Sequence, residues 1–153
     1  MPFGRVEDMK KQDGLYTLYL QGKMDGKVVK THQVIDCIGD LINPFTEYAH
    51  YLDYAKSEEL EFIVSNTTEA GDFTVCPKSY PGKLLSFLHT RYETFNGDVN
   101  KGLFIMPCEL IDHNGDTLKE VLVKLAHTCG YDEAFINWIT KANKFYNTLV
   151  DRI

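Results

Sequence analysis

A group of chemically capable side chains follows an apolar stretch in the second half of the chain. Glu109, His113 and Asn114 lie in "PCELIDHNG" (residues 107–115), directly after the apolar "LFIM". Glu109 could act as a general base or accept a hydrogen bond from a sugar hydroxyl. The simpler interpretation is a solvated carboxylate followed by an Asn-Gly turn. This segment alone leaves both interpretations open.

Two further polar segments follow apolar stretches in the same way. One is "SNTTEAG" (residues 65–71), in which Thr67, Thr68 and Glu69 offer hydroxyls and a carboxylate to a ribose or a substrate. The other is "VDRI" (residues 150–153) at the end of the sequence. The alternatives are a polar turn for the first segment and a surface ion pair for the second, which would contribute little to stability.

The surrounding pattern predicts the elements that position these segments. Residues 15–22 and 27–38 are rich in β-branched and aromatic residues, and the Asp-Gly between them indicates a hairpin. The segment 43–57 has an Asn followed by a Pro and then apolar residues at helical spacing, which predicts a helix. The remaining predictions are strands over 60–68, 101–110 and 146–153, and helices over 79–95, 115–130 and 132–145.

The alternation of strands and helices in the second half predicts an α/β fold with a parallel sheet. Ligands of open parallel sheets bind outside the carboxyl ends of the strands. The three polar segments follow three predicted strands, so we expect them to gather at one edge of the sheet. This expectation favours a small-molecule site.

Composition narrows the classes of function. The chain has 153 residues, 44% of them hydrophobic and 25% charged, which predicts a single globular domain. A net charge of −6 disfavours a nucleic-acid partner. There is no apolar run of membrane-spanning length and no signal peptide, so we expect a cytoplasmic protein. The four cysteines are widely spaced and are expected to be free thiols. No histidine spacing indicates a metal site.

Five segments, in order, resemble the mannitol dehydrogenase family of long-chain, metal-independent polyol dehydrogenases. They are "QDGLYT" (12–17), "FIVSNTTEAG" (62–71), "SYPGKLL" (79–85), "PCELIDHNGD" (107–116) and "FYNTLVDRI" (145–153). Within this family, "PCEL" in place of "SCDN", together with "SNTTEAG", resembles the branch that reduces the sugar acid tagaturonate to altronate.

The resemblance implies a Rossmann-type domain followed by a helical domain, with NAD as the cofactor. It implies hydride transfer between NAD(H) and the carbonyl carbon of an open-chain sugar acid. By position it assigns cofactor binding to Ser65, Asn66, Thr67, Thr68 and Glu69, substrate binding to Glu109 and His113, and catalytic roles to Asn114 and Asp151. Leu110 stands where relatives have an Asn that polarises the reacting oxygen. The general acid of the family is a Lys in the helical domain.

The sequence also departs from the family pattern. It has no match to the family's Gly-rich turn, which would present backbone N–H groups to the pyrophosphate. It also has no match to the helical domain. We therefore expect an internal piece of the NAD-binding domain: an incomplete Rossmann-type sheet with flanking helices and an N-terminal β-hairpin, nearly inactive alone.

Two alternatives to a dehydrogenase fragment remain open. One is a non-catalytic binding or assembly module derived from the same fold, and the other is an unrelated flavodoxin-like binder. In either the fragment or the module, an exposed sheet edge would favour self-association.

Overall fold

The computed structural model describes residues 5–67 and 79–149. The chain divides into two compact units, Met1–Tyr48 and Ala49–Ile153. The first unit contains a short helix, α1 (Arg5–Lys10), and an antiparallel hairpin of β1 (Tyr16–Met24) and β2 (Lys27–Ile35). The sequence did not indicate α1.

The hairpin turn forms where the sequence predicts it. Asp25 and Gly26 are the only two residues between the paired Met24 and Lys27, and their φ angles are 52° and 75°. Two successive positive φ angles give the turn a twist that matches paired strands, and Asp-Gly tolerates them well. The predicted N-terminal hairpin is therefore confirmed.

The second unit is a parallel three-stranded sheet with helices against it. Its strand order is β3-β4-β5, and both pairings are parallel. Its elements in chain order are α2 (Tyr48–Asp53, beginning at the boundary residue), a 3-10 turn (Tyr54–Lys56), β3 (Phe62–Ser65), α3 (Tyr80–Thr94), a 3-10 turn (Val99–Lys101), β4 (Phe104–Pro107), α4 (Asn114–Thr128), α5 (Glu133–Ala142) and β5 (Lys144–Phe145).

The core lies between one face of this sheet and the apolar faces of α3, α4 and α5. The side chain of Ile105 in β4 is fully buried there. The helices contribute most of the remaining core, including Leu84, Leu88, Leu118, Leu122, Phe135 and Ile139. On the other face, Phe62 and Val64 remain 53% and 62% exposed. Parallel sheets are usually covered on both faces, and among the described residues this second face is uncovered.

Several predicted boundaries are wrong. The helix predicted over 43–57 begins only at Tyr48. The side-chain oxygen of Asn43 accepts from the Phe45 amide at 3.1 Å, and the Glu47 carboxylate accepts from the Asn43 amide at 2.9 Å. These bonds close a turn over the segment in which the helix was expected.

The last strand lies before the segment in which it was predicted, and residues 146–149 have no strand structure. The helix predicted over 132–145 ends at Ala142, and β5 starts at Lys144 rather than at residue 146. Asn143 already has an extended backbone, with φ −88° and ψ 146°. No Gly or Pro marks this change in the sequence, so the pattern did not reveal it. Residues 150–153 of the predicted strand lie outside the described residues.

Candidate functional site

The carboxyl ends of β3 and β4 lie side by side. Ser65 is the register partner of Pro107, and the Cys108 amide donates to the Ser65 carbonyl at 2.7 Å. This parallel pairing forms because "FIVS" and "FIMP" are short apolar runs that bury alternate side chains against the helices. The polar residues that follow each strand therefore leave the sheet at the same edge.

Glu109 is the central side chain of this edge. It is only 5% exposed. Its Oε2 accepts from Ser65 Oγ at 3.1 Å, and its Oε1 accepts from both the amide and Oγ1 of Thr67, at 3.1 and 3.0 Å. A buried carboxylate is tolerated only when it is hydrogen-bonded in this way. Glu109 thus connects the ends of β3 and β4.

Asn114 connects the end of β4 to the chain beyond β5. It is 2% exposed, and its Nδ2 lies within 3.2 Å of the carbonyls of Pro107, Glu109 and Thr148 and of Thr148 Oγ1. Its Oδ1 accepts from the Thr148 amide at 2.9 Å. The Thr148 hydroxyl in turn donates to the Pro107 carbonyl. The Asn114 side chain therefore links the end of β4 and the chain after β5 to the start of α4.

Close approach of the backbone at the start of α4 requires a glycine. A Cβ atom added to Gly115 would lie 2.6 Å from the carbonyl carbon and oxygen of Tyr146. Atoms cannot approach so closely, so a larger residue would push α4 away from the chain after β5. Gly115 therefore allows the neighbouring Asn114 to reach Thr148.

Tyr80, the first residue of α3, adds a buried hydroxyl beside Ser65 and Glu109. This hydroxyl lies close to the Ser65 hydroxyl, but no described residue meets the geometry of a hydrogen bond with it. Burial raises the pKa of Tyr80 to about 12, the Ser65 hydroxyl opposes the rise, and the negative charge of Glu109 adds to it. Tyr80 therefore stays protonated at neutral pH as a potential donor.

His113 faces solvent at the same edge. It precedes α4 with φ 48° and ψ 47°, a left-handed conformation, and its side chain is 71% exposed. Its ring nitrogens lie 3.8 Å from Asp112 and 3.9 Å from Asp116. A left-handed non-glycine residue is uncommon, and here it turns the chain from the strand end into the helix.

A family profile described as "Mannitol dehydrogenase Rossmann domain" matches residues 3–153. The chain belongs to this family. The resemblance inferred from the five sequence segments is therefore confirmed.

Curated relatives of the chain include altronate oxidoreductases. The chain is 46% identical to the altronate oxidoreductase of Bacillus subtilis, over 97% of this chain and 33% of that protein. It is 40% identical to the altronate oxidoreductase of Halalkalibacterium halodurans, over 99% of this chain and 31% of that protein. The chain thus spans about a third of the length of these relatives.

Two solved structures of polyol dehydrogenases have the same fold. They are the mannitol 2-dehydrogenase of Pseudomonas fluorescens, in a ternary complex with NAD and D-mannitol, and a substrate-free D-sorbitol dehydrogenase. The TM-scores are 0.70 and 0.71, at 19% and 18% identity, over 95% and 92% of this chain and 32% of each of those chains. The predicted fold class, an incomplete Rossmann-type parallel sheet with flanking helices and an N-terminal hairpin, is confirmed.

The structure brings together four of the residues that the family resemblance assigned to the site: Ser65, Thr67, Glu109 and Asn114. Asn66 is exposed beside them, and His113 is on the surface at the same edge. Thr68, Glu69 and Asp151 lie outside the described residues. The predicted roles of all these residues stay predictions.

Sequence reasoning missed two members of the site. Tyr80 was inside a segment used to identify the family, "SYPGKLL", but no signal marked its hydroxyl as buried. Thr148 lies two residues before "VDRI", and its hydrogen bonds to Asn114 span 34 residues of sequence. Only the folded chain reveals such a long-range contact.

The described part of the chain has neither a candidate metal site nor a candidate membrane span. No group of three or more His, Cys, Asp and Glu side chains among residues 5–67 and 79–149 could hold a metal ion. Within the same residues, no helix combines the length and the hydropathy needed for a transmembrane span. Cys37, Cys108 and Cys129 are free thiols.

Proposed function

We propose that this chain is part of an NAD-dependent oxidoreductase that reduces tagaturonate to altronate in hexuronate breakdown. The observation that carries the proposal is the meeting of Ser65, Thr67, Glu109 and Asn114 at the carboxyl edge of a parallel sheet. This is the edge at which open α/β sheets bind ligands. The identity to altronate oxidoreductases supports tagaturonate and altronate as the pair of sugar acids.

The polar groups at this edge fit the sugar and carboxamide parts of NAD. Ser65, Asn66 and Thr67 supply neutral hydroxyl and amide groups, and the buried Tyr80 hydroxyl lacks a partner among the described residues. Neutral donors and acceptors of this kind suit a ribose and a carboxamide. When bound, NADH supplies the hydride that reduces a ketone to an alcohol. We propose that Ser65, Asn66 and Thr67, followed in the chain by Thr68 and Glu69, form the cofactor side of the site.

The proposed substrate side lies after β4. We propose that His113, which is exposed, contacts the sugar acid. Both polar atoms of the Asn114 amide are occupied by Pro107, Glu109 and Thr148. We therefore propose that Asn114 contributes to catalysis by fixing the edge rather than by binding substrate directly. Asp151 is kept as a proposed catalytic residue on the basis of the family resemblance alone.

We propose that the complete activity belongs to a polypeptide of the relatives' length. The chain spans about a third of those proteins. The resemblance assigns the pyrophosphate cradle and the general acid to parts of the family that these 153 residues do not match. Positioning and proton transfer each contribute orders of magnitude to the rate. We therefore expect the isolated chain to be nearly inactive. Its cytoplasmic location stays a prediction.

A second candidate is the non-catalytic binding or assembly module. The internal engagement of Glu109 and Asn114 favours it, because both side chains already satisfy the protein's own groups. The exposed Phe62 and Val64 also favour assembly, since β3 forms an edge of its sheet. Self-association through this edge stays a prediction.

Titration of the 153-residue chain with NADH, followed by nicotinamide fluorescence, tests the proposal. Saturable binding in the micromolar range, competed by NAD, is the expected result, and tagaturonate reduction would then be assayed at once. Absence of binding by a folded chain would support a fragment whose cofactor cleft needs the flanking sequence, and the next step would be to restore that sequence. The control is the same titration with NADPH, because nonspecific binding would not discriminate between the two cofactors.

A further inference from the structure

The carboxylate of Glu109 continues the pairing of β3 and β4 past their last backbone hydrogen bond. That last bond joins the Cys108 amide to the Ser65 carbonyl at 2.7 Å. Two residues later the Thr67 amide donates to Glu109 Oε1 at 3.1 Å. A side-chain oxygen thus takes the place that a strand carbonyl would occupy in a longer ladder.

Glu109 is directed inward and has little remaining capacity for a ligand. It is 5% exposed, whereas the next residue, Leu110, is 65% exposed. A carboxylate offers about four lone-pair positions, and three donors from Ser65 and Thr67 already occupy positions on Glu109. The side chain is therefore built to hold the β3 end.

The residue presented to solvent by this arrangement is Asn66. Ser65 and Thr67, on either side of it, are both fastened to Glu109. Side chains alternate along extended backbone, so fastening these two directs the side chain between them to the opposite side. Asn66 is exposed.

We propose that Glu109 is a positioning residue that fixes the chain after β3 so that the Asn66 amide contacts the nicotinamide side of NAD(H). The inference rests on the proposed function. It differs from the substrate-binding role that the family resemblance implies for Glu109, because Glu109 acts here through Ser65 and Thr67 and touches neither ligand.

Three variants of the 153-residue chain test the proposal: Glu109→Gln, Glu109→Ala and Asn66→Ala. Glu109→Gln keeps an oxygen for Thr67 and can donate its new amide to Ser65 Oγ, so it should preserve the arrangement. Glu109→Ala should accelerate hydrogen exchange at the Thr67 amide by about tenfold or more, because that amide loses its acceptor. Glu109→Ala and Asn66→Ala should each weaken NADH binding about tenfold, and Glu109→Gln by less than about threefold.

Asn143→Ala is the matched control for general destabilisation. It removes a buried acceptor of the Leu103 amide at the opposite end of β4. Under conditions in which each variant is folded, Asn143→Ala should leave Thr67 amide exchange and NADH affinity close to the wild-type values. If it changes both as much as Glu109→Ala does, the effect of Glu109 is merely structural and the proposal fails.

Two other results would overturn the proposal. Unchanged exchange at Thr67 in Glu109→Ala would show that the carboxylate does not hold the chain. A Glu109→Gln variant with a protected Thr67 amide but severely weakened NADH binding would show that the carboxylate itself contacts the ligand. If the wild type binds no NADH, the proposed function of the isolated chain fails, and Thr67 exchange in the two Glu109 variants still decides whether Glu109 is a positioning residue.

Discussion

The two ends of β4 use buried polar side chains in different ways. At the amino end, the Arg91 guanidinium is 1% exposed and donates to the carbonyls of Ala55, Ser57, Leu60 and Lys101. At the carboxyl end, Glu109 and Asn114 hold the ends of the strands. Both networks provide hydrogen-bond partners for backbone groups that lie beyond the paired residues of the strands. Buried polar groups need such partners.

The difference lies in what remains unsatisfied. At the amino end, Asn143 accepts from the Leu103 amide and donates to the Trp138 and Ile139 carbonyls of α5. The adjacent Gly102 packs so tightly that an added Cβ would lie 2.0 Å from the Ala142 carbonyl oxygen. At the carboxyl end, the Tyr80 hydroxyl has no partner among the described residues, and Asn66 is exposed. The end of β4 whose buried polar groups all have hydrogen-bond partners has a structural role. The end that leaves a buried hydroxyl without a described partner and an amide side chain exposed is suited to binding a ligand.

The largest expected effect on stability comes from removing the Arg91 hydrogen bonds at the amino end of β4. Arg91→Met should lower the free energy of unfolding by about 4 kcal/mol, because four carbonyls lose their donors. Burial already lowers the pKa of Arg91, yet the guanidinium remains charged because an arginine starts from so high a value. Denaturant unfolding followed by circular dichroism would measure the change.

Lys124→Met provides the surface control for Arg91→Met. Lys124 is exposed on α4, and this substitution should change stability by less than about 0.5 kcal/mol. A loss below about 1 kcal/mol for Arg91→Met would mean that the four carbonyls find other donors. The two ends of β4 would then differ less than their hydrogen bonds indicate.

An intermediate effect is expected from Asn114→Asp. The substitution keeps the shape of the side chain but places an oxygen where Nδ2 now donates to the Pro107, Glu109 and Thr148 carbonyls. Repulsion between oxygens, added to the lost hydrogen bonds, should lower the free energy of unfolding by about 3 kcal/mol. Thermal unfolding would measure the change. The control is Asn137→Asp, which makes the same substitution at an exposed asparagine of α5 and so isolates the effect of burial. Equal losses in the two variants would contradict a special role for Asn114.

Local sequence signals predicted much of this fold. Asp25-Gly26 predicted the hairpin, and the alternation of apolar runs with helical patterns predicted the parallel sheet. The helix predicted over 79–95 is present as α3, whose first turn is capped by Ser79. Such features depend on residues close in the sequence, so a local pattern is enough to identify them.

The internal contacts of the site could not be predicted in this way. The bonds from Glu109 to Ser65 and Thr67 span 44 and 42 residues. A glutamate at a strand end has the same local pattern whether it faces solvent or turns inward. Arg91 likewise lies in an amphipathic helix, where an arginine is usually solvated. Its burial depends on carbonyls contributed by two distant turns.

The smallest effect at neutral pH is expected from Tyr80→Phe, which removes the buried hydroxyl that has no partner among the described residues. A buried polar group without a partner is destabilising, so the variant should be more stable than the wild type by about 1 kcal/mol. It should also bind NADH more weakly if that hydroxyl serves the ligand. Increased stability with unchanged NADH binding would remove Tyr80 from the site and would make the carboxyl end of β4 resemble the amino end.

The stability difference between Tyr80→Phe and the wild type should depend on pH, which gives a second measurement. The pKa of Tyr80 is raised from 10.0 to about 12 in the folded chain. Below pH 10 both states keep the proton; between about pH 10 and 12 the unfolded state loses it first, so wild-type stability falls as pH rises. The stability difference between Tyr80→Phe and the wild type should therefore grow by on the order of 2 kcal/mol across this range. Below about pH 9 the stability difference should stay constant, which provides the internal control. A constant difference for Tyr80→Phe across the higher range as well would mean that its hydroxyl reaches water, and the contrast between the two ends of β4 would then rest on Asn66 alone.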